Sequence, residues 1–225
     1  MWRDEFVRMM FIQQGRLPPL GPPETVNRAI QLPPDMEQAL PYYLAGAPER
    51  LPLPERWPEP GGPVKFIRTL LTLRGSAEPP AVSSVQLLDL DGDRQLDLLA
   101  TEMRQGLILT GRPGRPAEAL TTVASIPHPA RVNVTDLDGD GLRDLLVADL
   151  GEFFPADHDK GAVILLRGQA SGKFGAFWLD GWPRVADVEA ADFNGDGRKD
   201  LVVAAFGWRK SGRISILENR TTVPA

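Results

Sequence analysis

The chain has 225 residues, of which 42% are hydrophobic and 24% charged, enough for one large domain or a domain with an appendage. Cysteine is absent, which excludes a disulfide frame, a thiol nucleophile and a zinc–thiolate site. A net charge of −5 without a basic stripe argues against nucleic-acid binding, and no apolar run reaches the ~18 residues of a membrane span.

The N-terminal stretch MWRDEFVRMMFIQQGRLPP carries acids within its first five positions and lacks the apolar core of a signal peptide. Residues 1–63 hold most of the prolines and read as an extended arm with local helix. One long helix is expected near PPDMEQALPYYLAGAPE, with Asp35 as a start cap and Gly46 as its end. Pro41 lies inside that span, so a kink or two short turns fit the pattern equally well.

From Val64 the pattern changes to short β-type runs separated by turn residues, beginning with VKFIRTLLTL and ending with RISILEN. Twelve strands are expected in residues 64–225. Three acidic loops, DLDGDRQLD, DLDGDGLRD and DFNGDGRKD, open at Asp89, Asp136 and Asp192, spaced by 47 and 56 residues. A valine (Val85, Val132, Val188) lies four positions before each opening aspartate, and a leucine (Leu98, Leu145, Leu201) closes each loop. A repeat of about 40–50 residues holding four strands has the size of a propeller blade.

These loops hold eleven of the thirty acidic residues, and the remaining nineteen are outnumbered by twenty-five basic ones. Negative charge is thus concentrated where it can meet a cation. Oxygen-bearing side chains occupy positions 1, 3, 5 and 9: Asp89, Asp91, Asp93 and Asp97; Asp136, Asp138, Asp140 and Asp144; Asp192, Asn194, Asp196 and Asp200. The backbone carbonyl of position 7 (Gln95, Leu142, Arg198) can add another oxygen. An all-oxygen set suits calcium, and the absence of sulfur and histidine disfavours zinc, copper and nickel. A single Asp-rich turn is ordinarily a solvated strand cap, but three in register are not explained that way. An EF-hand needs glutamate at position 12, where Ala100, Val147 and Val203 stand instead.

Residues 64–225 resemble the FG-GAP (VCBS) repeat family, the calcium-binding blades of integrin α-subunit heads and of many bacterial secreted proteins. Asp136–Leu145 matches the family motif D-x-D-G-D-G-x-x-D-L in full. Asp192–Leu201 substitutes Asn194 at position 3, and Asp89–Leu98 departs with Arg94 at position 6. The resemblance implies calcium in the hairpin between the first two strands of each blade. It also places the chain among secreted, integrin α-like and cell-adhesion modules. The second loop, with four carboxylates and both glycines, is expected to bind calcium most tightly.

The histidines are His128, between prolines, and His158 in the long loop LGEFFPADHDKGA, flanked by Asp157, Asp159 and Lys160. An exposed polar loop is the expected reading of that segment, and no catalytic residue is assigned. Trp178, Trp182, Phe206 and Trp208 could stack on a sugar, but packing is the expected role.

The chain is therefore expected to be all-β, a partial propeller of about three four-stranded antiparallel blades behind a Pro-rich arm. The blades should form an open arc with apolar faces at both ends. The expected function is a calcium-dependent, non-enzymatic extracellular or periplasmic scaffold for a protein or glycan, with the remaining blades missing from this chain or supplied by self-association. The alternative is a propeller part, catalytic or not, of a larger secreted enzyme such as a glycan hydrolase or lyase. Exposed calcium loops need the ion concentrations found outside cells, so a secreted or periplasmic location is expected, in a chain that lacks its export signal.

Overall fold

The computed structural model describes residues 2–14, 30–46, 65–73, 80–115, 118–209 and 211–221. The chain divides into two units, residues 1–66 and 67–225. In the first, helix α1 spans Trp2–Gln13 and helix α2 spans Pro34–Gly46. The two are in contact and share a small core of Phe6, Val7 and Leu32, flanked by Phe11, Ile30, Met36 and Leu40. Arg3 donates to the Ile30 carbonyl at 2.8 Å, which ties α1 to the segment entering α2.

Two expectations for this region change, and the choice left open at Pro41 is decided. The arm contains a second helix, α1, whose Phe6, Val7 and Met10 fall on one buried stripe. Asp35 is not the cap, because the helix starts at Pro34, where proline's fixed φ suits the first turn. There Asp35 and Glu37 complement the positive end of the helix. Helix α2 also runs unbroken past Pro41.

In the second unit, alternation of branched apolar residues with glycine-rich turns produces, among the described residues, eleven antiparallel strands in three consecutive meanders. The first sheet contains β1 (Val82–Leu88), β2 (Asp97–Glu102), β3 (Leu107–Gly111) and β4 (Thr121–Ser125). The second contains β5 (Pro129–Thr135), β6 (Asp144–Asp149), β7 (Gly161–Gly168) and β8 (Phe174–Trp182). The third contains β9 (Arg184–Ala191), β10 (Asp200–Phe206) and β11 (Arg213–Leu217), three strands among the described residues. The strand expected at 64–73 does not form in the described residues 65–73. Leu73 makes only an isolated parallel bridge to Leu120, and Phe66, Ile67 and Leu70 are exposed. A short apolar run without a paired neighbour has nothing to satisfy its backbone as a strand.

The sheets stack in chain order. The first meets the second through β1, β2 and β3 against β5, and the second meets the third through β5, β6 and β7 against β9. Strand β6 is buried along its whole length, because its alternate side chains serve two different cores. Leu145 and Val147 pack with Leu99, Ile108 and Val132 between the first and second sheets. Leu146 and Ala148 pack with Val163, Val188 and Val203 between the second and third. The result is an all-β, partial propeller-like fold that does not close on itself, with the expected exposed apolar side chains at both ends: Val85 and Leu87 on the first sheet, Ile214 and Ile216 on the third.

Candidate metal-binding loops

Each acidic loop is the hairpin turn joining the first two strands of its sheet, β1 to β2, β5 to β6 and β9 to β10. The three share one hydrogen-bond pattern. The aspartate at position 1 accepts from the N–H of position 4: Gly92 to Asp89 at 2.6 Å, Gly139 to Asp136 at 2.8 Å and Gly195 to Asp192 at 2.7 Å. Its other oxygen accepts from position 6: Arg94 at 2.9 Å, Gly141 at 3.0 Å and Gly197 at 2.9 Å. Position 3 accepts from the N–H of position 5, and position 5 from that of Gln95, Leu142 or Arg198 at position 7, at 2.8 to 3.2 Å. The loop therefore wraps around its own side-chain oxygens.

Backbone conformation explains the glycines. Position 6 has φ of 83° at Gly141 and 84° at Gly197, and Arg94 holds the same place at φ 67°. Arg94 is the one non-glycine residue with positive φ among those described. The turn imposes this left-handed conformation on a side chain that resists it.

The aspartate at position 9 is a structural tie as well as a candidate ligand. Asp97, Asp144 and Asp200 are all buried, at the first residue of β2, β6 and β10. One oxygen of each accepts from position 2 of its loop, namely Leu90, Leu137 or Phe193. The second oxygen of Asp144 takes the N–H of Gly168 at 2.8 Å, and that of Asp200 takes Asn219 at 2.8 Å. Pro113 occupies the equivalent place in the first repeat and has no N–H to give. Arg112 Nε approaches Asp97 there instead, at 3.5 Å.

One oxygen from each of Asp89, Asp91 and Asp97 lies within 4.8 Å of the others, and the same holds for Asp136, Asp138 and Asp144. Two ligands of one calcium ion, each at about 2.3–2.6 Å, stand no more than about 5 Å apart, so the spacing fits. The third loop carries the same backbone with Asn194 at position 3.

The loop-by-loop reading of the sequence misses the cations set against these carboxylates. Arg112 reaches Asp91 at 2.8 Å and Asp93 at 2.9 Å. Arg167 reaches Asp138 at 2.5 Å and Asp140 at 3.1 Å. Both arginines follow the third strand's equivalent residue, Gly111 or Leu166 in the ladder register, so alignment of the third strands would have revealed them. Glu218 stands there in the third repeat, and Arg198 supplies the cation from within the loop, 2.5 Å from Asp196. The Gln95 N–H, then Arg112, hold the Asp93 carboxyl below the usual carboxylate range. The Gly197 N–H, helped by Gly195 and Asp196, does the same for Asp192. The carboxylates of Asp93 and Asp138 raise the Arg112 and Arg167 guanidinium groups in return.

Beyond the loops, the His158 segment is pinned by its own groups. The Lys160 N–H donates to His158 Nδ1 at 3.1 Å, while His158 Nε2 is buried without a protein partner. Asp157 accepts from the Trp208 and Arg209 N–H groups, and Lys160 pairs with Glu152. Arg184, buried, donates to the Glu152 and Phe154 carbonyls and lies over the Phe206 ring. His128 Nδ1 lies 3.0 Å from the Met103 carbonyl. Trp182 packs against the core between the second and third sheets, whereas Trp178 and Trp208 are exposed.

Comparison with curated proteins gives no match. Compared with protein families, residues 136–203 match the FG-GAP-like repeat, a span running from the opening aspartate of the second loop through β10 of the third sheet. Over that span the chain is similar to an FG-GAP-like repeat.

Proposed function

We propose that this chain is a calcium-binding repeat module that serves as a non-catalytic scaffold, secreted or periplasmic, for a protein or glycan partner. The observation that carries the reading is the threefold recurrence of one all-oxygen loop geometry, in which positions 1, 3 and 5 accept the loop's own N–H groups. A turn so determined keeps its carboxylates converged despite their repulsion, which is what a hard cation requires. Asp89, Asp91, Asp93 and Asp97, with their counterparts in the other loops and the carbonyls of Gln95, Leu142 and Arg198, would hold the ion. Calcium would supply the charge that offsets the carboxylates, and the chain's residues orient the hairpin.

The non-catalytic reading is supported by the chemistry outside the loops. Asp157 caps a neighbouring turn and His158 Nδ1 accepts a backbone N–H, so these groups are engaged in holding the chain. The location follows from ion supply, since open loops of this kind fill at extracellular calcium levels.

Calorimetric titration of chelator-treated protein tests the reading. The second loop should bind most tightly, so Asp140→Ala should remove the strongest event, and Asp93→Ala and Asp196→Ala weaker ones. An absence of calcium binding would sink the proposal. A glycan array and a pulldown, each run with and without calcium, would then identify the partner class.

A further inference from the structure

We propose that two copies of this chain associate head to tail, the outer face of the third sheet seating the outer face of the first sheet of its partner copy. The chain displays the required contact twice. In ladder register, Ile108, Val163 and Ile214 are equivalent, as are Leu99, Leu146 and Val202. These residues form the face that each sheet presents to the next. Val85, Val132 and Val188 are likewise equivalent on the opposite face, which each sheet presents to the one before.

Where a neighbouring sheet is present, both sets are buried. Ile108 is 0% and Val163 1% exposed, and Val132 and Val188 are 0% and 1% exposed. At the two ends Ile214 and Val85 stand open, at 78% and 60%, while Val202 is half-buried. Ile216 and Phe206 extend the first exposed half, around a shallow cavity of about 320 Å³ lined by Ala204, Phe206, Gly212 and Ile214. Val82 and Leu87 extend the second, and Val185, the counterpart of Val82, is fully buried in the third sheet.

One chain therefore exposes the two complementary halves of an interface it already uses internally. Because the halves differ, the contact is heterologous, and it closes only if the rotation completes a ring. The three sheets described in each copy would make six in a two-copy ring, within the range of about four to eight seen in closed propellers, whereas three copies would exceed it. The polar rung of the internal contacts is not reproduced. Gln86 donates to the Val132 carbonyl and Asn133 to that of Val188, but Glu189 takes the equivalent place and a carboxylate cannot donate. The contact between copies rests on apolar burial.

The test is the solution mass of the whole chain by light scattering and sedimentation, in calcium and in chelator. Two copies, twice 24.6 kDa, are expected in at least one of these conditions. Val85→Asp and Ile214→Asp, both at exposed positions, should each halve the mass while leaving the melting transition in place. Mixed together, they should recover a one-to-one complex, because each variant keeps the half that the other lacks. A monomeric wild type in both buffers overturns the proposal, whatever the calcium titration shows. So does a Val85→Asp variant that still dimerises, since that would mean a symmetric contact or one located elsewhere.

Discussion

Replacing Arg94 by glycine isolates the cost of backbone strain in the first loop. Arg94 has φ 67°, whereas its counterparts Gly141 and Gly197 sit at 83° and 84°. A side chain in this left-handed region costs about 1–2 kcal/mol. Glycine's greater freedom in the unfolded chain takes back about 0.4–1 kcal/mol. Arg94→Gly should therefore stabilise the metal-free fold by about 0.5–1 kcal/mol. In a unit of this size about 1 kcal/mol moves Tm by roughly 2–4 °C, so a rise of about 1–4 °C is expected. The mirror experiment is Gly141→Ala, where a Cβ would meet no atom within 4 Å, so any loss is conformational. Scanning calorimetry in chelator reads both without interference from metal. An Arg94→Gly variant that melts below the wild type, or a Gly141→Ala variant that melts with it, would refute the strain assignment.

Arg112→Gln removes the cation set against Asp91 and Asp93, so the first loop's calcium affinity should rise several-fold while the metal-free protein melts earlier. Titration and melting curves read the two effects separately, and unchanged affinity would show that this guanidinium does not compete with the ion. Gly161→Ala would place a Cβ 1.9 Å from the Pro183 carbonyl oxygen, a clash of backbone against backbone. A loss of about 3 kcal/mol or more is expected in denaturant unfolding, among the larger single-site effects. Burial raises the Asp149 carboxyl above its ordinary range of about 3.9. A raised folded value means that stability is greatest below the unfolded value and is lost as pH rises through the folded one. Asp149→Asn, which keeps an acceptor for the His128 N–H, should gain on the wild type as pH increases from about 4 toward 7. A stability difference independent of pH would show that Asp149 does not titrate in this way.

What the sequence determines here is local. The positions of β1 to β11 and of the three turns are legible in side-chain alternation and in glycines spaced within nine residues, both patterns of neighbouring positions. The strain at Arg94 is legible for the same reason, because the loop register alone places it where φ must be positive. Tertiary structure decided the rest. The run 65–73 is as apolar as a strand, yet it lacks a ladder neighbour beyond the single Leu73 bridge, and a strand is defined by its partner. Helix α1 owes its place to burial of Phe6 and Val7 with Leu32, a contact across some 25 residues that short-range propensity does not encode. Arg112 lies about twenty residues and Arg167 nearly thirty beyond the carboxylates they face, and only the return of the third strand to its loop brings those charges together. The sequence sets which oxygens converge; packing sets which cations stand among them and which apolar faces are left open, because both depend on how strands return to one another in space.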